Sequence, residues 1–102
     1  MSRGLIIRHE ADADIVEAAA WYEAQSYGLG AEFFQAVDVC IANAVRAPQR
    51  YARVQGIGEG DLRRALVSRF PYAVYFYFDD EDVMVIACMH LRRDPGELAK
   101  RL

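Results

Sequence analysis

Between Leu62 and Met89 the chain reads as three strands in quick succession, and this run limits what the rest can fold into. The segments are Leu62–Phe70, Ala73–Phe78 and Val83–Met89, rich in β-branched and aromatic residues. Pro71 stands between the first two, since proline belongs at a bend or edge rather than in a central ladder. The acidic turn Asp79-Asp80-Glu81-Asp82 separates the second from the third. By the alternation of a strand, Val74, Phe76 and Phe78 face one way and Ala73, Tyr75 and Tyr77 the other. Both faces are bulky, so both must be covered. Arginine pairs stand at the start of the run (Arg63-Arg64) and just past its end (Arg92-Arg93). With no cofactor motif in sight, a sheet so marked suits an anionic or peptide partner.

The preceding half supplies one cover. Ala11, Ile15, Ala18, Ala19 and Tyr22 recur at helical spacing from Ala11 to Gln25, with Asp12 and Asp14 in the first turn where the helix dipole favours acids. Gly28 and Gly30 break the pattern. Leu29, Phe33, Val37, Cys40, Ile41 and Ala44 then form the stripe of a second helix, about Ala31 to Ala47, stopped by Pro48. The short turn makes an antiparallel hairpin. Leu5-Ile6-Ile7-Arg8 reads as an edge or central strand, and Arg50 to Val54 as a short one. Gly56, Gly58 and Gly60 form a flexible loop without the Gly-Lys-Ser/Thr of a phosphate loop. A terminal helical turn follows, with Asp94 as N-cap and Pro95 at the first position; it or a partner must cover the second sheet face. Residues 1–102 make one α+β domain: an N-terminal strand, an antiparallel helical hairpin packed on a twisted antiparallel sheet, and a short C-terminal helical turn.

Composition narrows the function. The 102 residues are 54% hydrophobic, enough for a core without staples. No apolar stretch approaches the ~18 residues of a membrane span, and the three-residue run Leu5-Ile6-Ile7 is too short for a signal-peptide core; the expected location is the cytoplasm. Cys40 and Cys88 lie in apolar patterns without metal-ligand spacing, so reduced, buried thiols are expected, with no metal and no cofactor. The net charge is −3, yet residues 50–102 hold nine bases against eight acids, four of them in the single run 79–82. Eleven of the twelve bases are arginine. Arginine's planar fork favours docking over proton transfer.

Arg63 and Arg64 are adjacent on a strand and must point to opposite faces. Either one is solvated while the other pairs with an acid, or one joins Arg69, Arg92 and Arg93 in a basic patch. His90 falls by period two on the face of Met84, Ile86 and Cys88, where it reads as a core or rim residue or, given a partner acid, as a general base. Trp21 lies off the helix stripe, at the rim against Phe70-Pro71-Tyr72.

The chain resembles toxins of the RelE/ParE superfamily of type II toxin–antitoxin modules. The resemblance is carried in order by 11–18 (ADADIVEA), Trp21-Tyr22-Glu23-Ala24-Gln25, Gly28-Leu29-Gly30 with Phe33, Pro48, Tyr51, Arg63-Arg64, Phe70–Tyr75 and His90-Leu91-Arg92-Arg93-Asp94-Pro95. It implies a helical hairpin on a twisted sheet and a cognate ParD-like antitoxin whose C-terminal segment wraps the toxin in a hetero-oligomer. RelE-like members cut mRNA on the ribosome without metal; ParE-like members inhibit DNA gyrase. Lys100 is the only lysine, and no Tyr or His follows Arg93, so the resemblance is closer to the ParE-like, non-enzymatic side and no residue is carried over as catalytic. Target or antitoxin binding is expected at Arg63, Arg64, Arg69, His90, Arg92 and Arg93. The alternatives are a ribosome-dependent endoribonuclease and a non-toxic antitoxin-binding scaffold.

Overall fold

The computed structural model describes residues 3–57, 60–94 and 96–102. Gly58 of the glycine loop, and Pro95 as the expected first helical residue, lie outside these. The elements run β1 (Gly4–Ile7), α1 (His9–Gln25), α2 (Leu29–Arg46), a 3-10 turn (Pro48–Arg50), β2 (Ala52–Arg53), β3 (Arg63–Leu66), β4 (Tyr72–Phe78), β5 (Asp82–His90) and α3 (Gly96–Ala99). This is the α+β fold expected.

The helical hairpin forms where the apolar stripes predict. Ala11, Ile15, Ala18 and Ala19 are buried on α1, and Phe33, Val37, Cys40, Ile41 and Ala44 on α2. The connection turns at Gly28, whose φ of +85° favours glycine. Glu23 then caps α2 from the preceding helix: its carboxylate accepts the N–H groups of Gly28 and Gly30, each at 3.0 Å, satisfying donors that a helix start leaves unpaired. At Gly30 a Cβ would come within 2.7 Å of the Ala19 carbonyl oxygen, so the bare Cα sets how closely the helices approach.

The five strands lie in the order β1-β5-β4-β3-β2. The meander from β2 to β5 is antiparallel, whereas β1 joins the outer side of β5 in parallel. β1 is therefore an edge strand. β3 ends at Leu66, short of the expected Phe70, because Arg69 takes a φ of +73° and the Val67 N–H turns to the Tyr72 carbonyl at 2.9 Å.

Two cores flank the sheet. Val74, Phe76 and Phe78 meet the hairpin through Phe33, Ile15 and Val37. Ala73, Tyr75 and Tyr77 meet Leu62, Val54, Ile57 and Leu98 on the other face. Leu98 of α3, fully buried, is the cover expected from the C-terminal segment. Asp94 does cap that turn, accepting the Gly96 N–H at 2.8 Å.

One irregularity redirects the end of the sheet. Tyr75 pairs with Ala87 but Phe76 pairs with Val85, so Ile86 is an extra residue, a β-bulge. Ile86 and Ala87 both enter the far core, and Cys88 returns to the helix side. His90, paired with Tyr72, follows Cys88 and not Met84 and Ile86 as the unbroken period implies. The bulge thus places His90 on the face toward α1.

Candidate functional site

The register gathers four of the six expected residues at one end of the sheet. The β3–β4 turn carries Arg69, the end of β5 carries His90, and Arg92 and Arg93 follow directly. The Leu91 N–H donates to the Pro71 carbonyl at 2.9 Å, tying the two turns together. Arg63 and Arg64 are not part of this group. They point to opposite faces as expected, and their surroundings differ sharply.

Arg63 is a structural residue. Its side chain is only 11% exposed. The guanidinium donates to the carbonyls of Gln49 (2.9 Å) and Tyr51 (2.8 Å) and pairs with Asp61 at 2.8 Å, fixing the 3-10 turn and β2 against β3. It also lies 5.3 Å from the Phe78 ring centroid. The hydrogen bond from Arg63, then the charges of Arg53 and Arg63, hold the Asp61 carboxyl below its ordinary value. Arg64 is exposed, and its side chain makes no hydrogen bond or ion pair among the described residues.

Arg69 pairs with Glu32 of α2 at 2.8 Å and lies over Phe70 at 5.7 Å. Arg93 pairs with Glu97, one helical turn on. The Arg92 side chain is exposed and unpaired among the described residues. Its backbone N–H donates to His90 Nδ1 at 3.1 Å, which leaves Nε2 to carry the proton of a neutral ring. His90 also sits edge-on to Tyr72, with centroids 5.2 Å apart. No acid contacts the imidazole among the described residues, so the partner a general base requires is not in place.

Beside His90 opens a cleft of about 450 Å³ between α1 and the ends of β4 and β5. Trp21, Tyr22, Pro71 and Tyr72 form apolar walls, with Glu17 and Arg93 at the margin. Trp21 is 59% exposed, sits edge-on to Tyr22 with ring centroids 5.1 Å apart, and lines the cleft together with Pro71 and Tyr72. Burial raises the pKa of Tyr72, reinforced by Tyr22, Cys88 and Glu17 and opposed by Arg93. Burial likewise pushes the thiol of Cys88 up to about 12 and that of Cys40 up to about 11. Both thiols are free and buried, and thiols so shifted are poor nucleophiles at neutral pH. Asp14 and His90 also line the cleft, but Asp14 is held in an ion pair with Arg101. Aromatic walls with Glu17 and Arg93 at the rim suit a side chain or short peptide segment better than proton transfer.

Sequence reasoning missed the clasp that builds this cleft. Arg101 grips Asp14 through two hydrogen bonds of 2.6 and 2.9 Å, with the side chains 19% and 11% exposed. Arg101 also donates to the Ile86 carbonyl at 3.2 Å, and Asp14 accepts the Cys88 N–H at 3.0 Å. The backbone groups flanking the bulge are thus satisfied by two side chains that are 87 residues apart. No local pattern announces such a pair.

No family model and no curated protein match this chain. Among solved structures it is similar to a chain of the "Chromosomal ParDE TA system from P. aeruginosa" at 13% sequence identity and a TM-score of 0.69, covering 87% of this chain and 96% of that one. At that identity the likeness is one of fold: the strand, helical hairpin and five-stranded sheet form the ParE-like architecture that the sequence resemblance implies.

Proposed function

We propose that this protein is the toxin of a ParE-like type II toxin–antitoxin pair, that it inhibits DNA gyrase by binding, and that a ParD-like antitoxin silences it. The observation that carries this reading is the shared fold over 87% of the chain. The chemistry of the sheet end agrees with it. Arg69 and Arg93 sit in ion pairs, His90 has no acid partner among the described residues, and the two cysteines are buried. Docking needs no proton relay, whereas cutting RNA at a 2′-hydroxyl does.

Exposed Trp21, Arg64 and Arg92, with the cleft beside His90, supply contacts for the target. A second surface suits the antitoxin. Between α1 and α2, on the side away from the sheet, Val16, Ala19, Ala20, Ala31 and Phe34 line a nearly apolar groove of about 340 Å³. Val16 and Phe34 there are 51% and 41% exposed. An amphipathic helix laid in such a groove reads as a helix-in-groove contact.

The test is a supercoiling assay with purified DNA gyrase, run beside an in vitro translation reaction with a labelled transcript. Gyrase inhibition near stoichiometry with an intact transcript is expected. Codon-positioned cleavage of the translated transcript with unaffected gyrase overturns the reading in favour of a nuclease. Activity in neither assay, together with normal growth of cells expressing the protein, overturns it in favour of a non-toxic scaffold.

A further inference from the structure

Among the described residues β1 is the last strand of the sheet, with β5 on one side and no strand on the other. Leu5, Ile6 and Ile7 are 45%, 42% and 39% exposed. Edge strands are usually blunted by charge, proline or a covering segment, and this strand carries neither charge nor proline between Gly4 and Ile7. Leu5 and Ile7 pair in register with Val83 and Val85 of the helix-side core, yet both stay exposed. The hairpin therefore leaves β1 uncovered.

The register states which backbone groups are free. The Gly4 N–H donates to the Glu81 carbonyl at 2.7 Å and the Arg8 N–H to the Val85 carbonyl at 2.9 Å. Even-numbered residues thus turn their N–H groups inward, and by alternation Leu5 and Ile7 turn theirs outward. Two outward residues, two positions apart, form the unit of an antiparallel hydrogen-bonded pairing.

Charge sits at both ends of the strand, on one face. Asp82 lies over the bare Cα of Gly4, where a Cβ would collide with its Oδ1. Its carboxylate makes no hydrogen bond or ion pair among the described residues. At the other end Arg8 is exposed, and among the described residues its guanidinium makes one 3.4 Å hydrogen bond, to the Arg101 carbonyl, and pairs with no carboxylate.

We propose that two copies of this chain pair β1 to β1, antiparallel, about a two-fold axis through Ile6. Leu5 and Ile7 of one copy exchange backbone hydrogen bonds with Ile7 and Leu5 of the other, and Arg8 of each reaches the partner's Asp82. The register requires this geometry. If Ile6 faces Ile6 and Leu5 faces Ile7, then Gly4 faces Arg8, at the ~5 Å separation of opposed residues. Because Gly4 has no side chain, the carboxylate above it is open to the arriving guanidinium. A foreign strand could use the same backbone groups but would have to bring both charges in the right order. A second copy brings them by symmetry, twice. The contact is small, so the dimer is weak and depends on concentration.

Sedimentation velocity of the full chain over a wide concentration range tests the pairing, with circular dichroism to verify folding. A doubling of mass with rising concentration is expected. Arg8→Asp and Asp82→Arg should each weaken the dimer by about tenfold, and the combined swap should restore it. Arg8→Asp places a favoured residue at the N-cap of α1, so its effect is not attributable to misfolding. Leu5→Pro should abolish the dimer by deleting an outward N–H while leaving the bonds to β5. A monomer at every concentration overturns the proposal, as does a dimer indifferent to Leu5→Pro or one that the combined swap fails to rescue.

Discussion

Replacing Asp14 with alanine should be among the most damaging single changes in this chain. The carboxylate holds Arg101 through two hydrogen bonds and accepts the Cys88 N–H beside the bulge, at 2.6, 2.9 and 3.0 Å. With the side chains 11% and 19% exposed, the site is mostly but not wholly shielded from water. Removing one partner of a buried ion pair costs about 3–5 kcal/mol, and residual solvent places this case at the lower end. The orphaned Cys88 N–H adds to it, for a total of ~4 kcal/mol. Asp14→Asn keeps an acceptor for Cys88 and loses the charge, so ~2 kcal/mol is expected. For a chain of this length 1 kcal/mol corresponds to about 5 °C, so Asp14→Ala should lower Tm by about 20 °C and Asp14→Asn by about 10 °C. Urea and thermal unfolding followed by circular dichroism measure both. A double-mutant cycle with Arg101→Ala should give a coupling of about 2 kcal/mol. Because Arg101 follows the turn that delivers Leu98 to the far core, trypsin should also cut the variant sooner after Lys100. Asp14→Ala within 1 kcal/mol of wild type, or a coupling near zero, refutes the view that this clasp anchors the C-terminus (threshold from ordinary surface substitutions).

Gly30→Ala should destabilise by about 2 kcal/mol, because the new Cβ meets the rigid Ala19 carbonyl oxygen at 2.7 Å; Gly4→Ala should be milder, since the atom it meets ends the side chain of Asp82. In acid, two depressed carboxyls set the sign. Asp79 is lowered by the backbone N–H groups of Asp82 and Glu81 and then by Arg3, and Asp61 by Arg63 and then Arg53. Their folded values lie below the unfolded ones, so their stabilisation is present above the ordinary carboxyl value near 3.8 and is lost as pH falls through the folded values. Urea midpoints should drop below about pH 4, and less steeply in Asp79→Asn. Neither thiol should react with a maleimide at pH 8 before unfolding, since burial pushes Cys40 to about 11 and Cys88 to about 12; prompt labelling of the native protein would contradict this.

What could be read from the sequence was whatever repeats locally. The helix stripes and the two faces of β4 follow from periods of 3.6 and 2, and Asp94 from the chemistry of caps. What could not be read depends on contacts between distant residues. Ile86, Ala87 and Cys88 are all apolar, so nothing in the string marks where the period slips, and His90 is assigned to the wrong face in consequence. Parallel pairing of β1 with β5 leaves no local trace, because four apolar-rich residues suit either direction. Strand alternation alone places the adjacent arginines on opposite faces, yet only the fold shows that Asp61 and two carbonyls hold Arg63. Arg69 in a left-handed turn defies its own propensity and rests on Phe70 and Glu32 instead. These departures are connected. The bulge turns His90 toward α1, and Asp14 and Arg101 satisfy the backbone groups around it. The same pair anchors the segment that brings Leu98 under the sheet. An extra residue in one strand thus sets both the wall of the cleft and the seal of the far core, and a variant lacking Ile86 should lose both together.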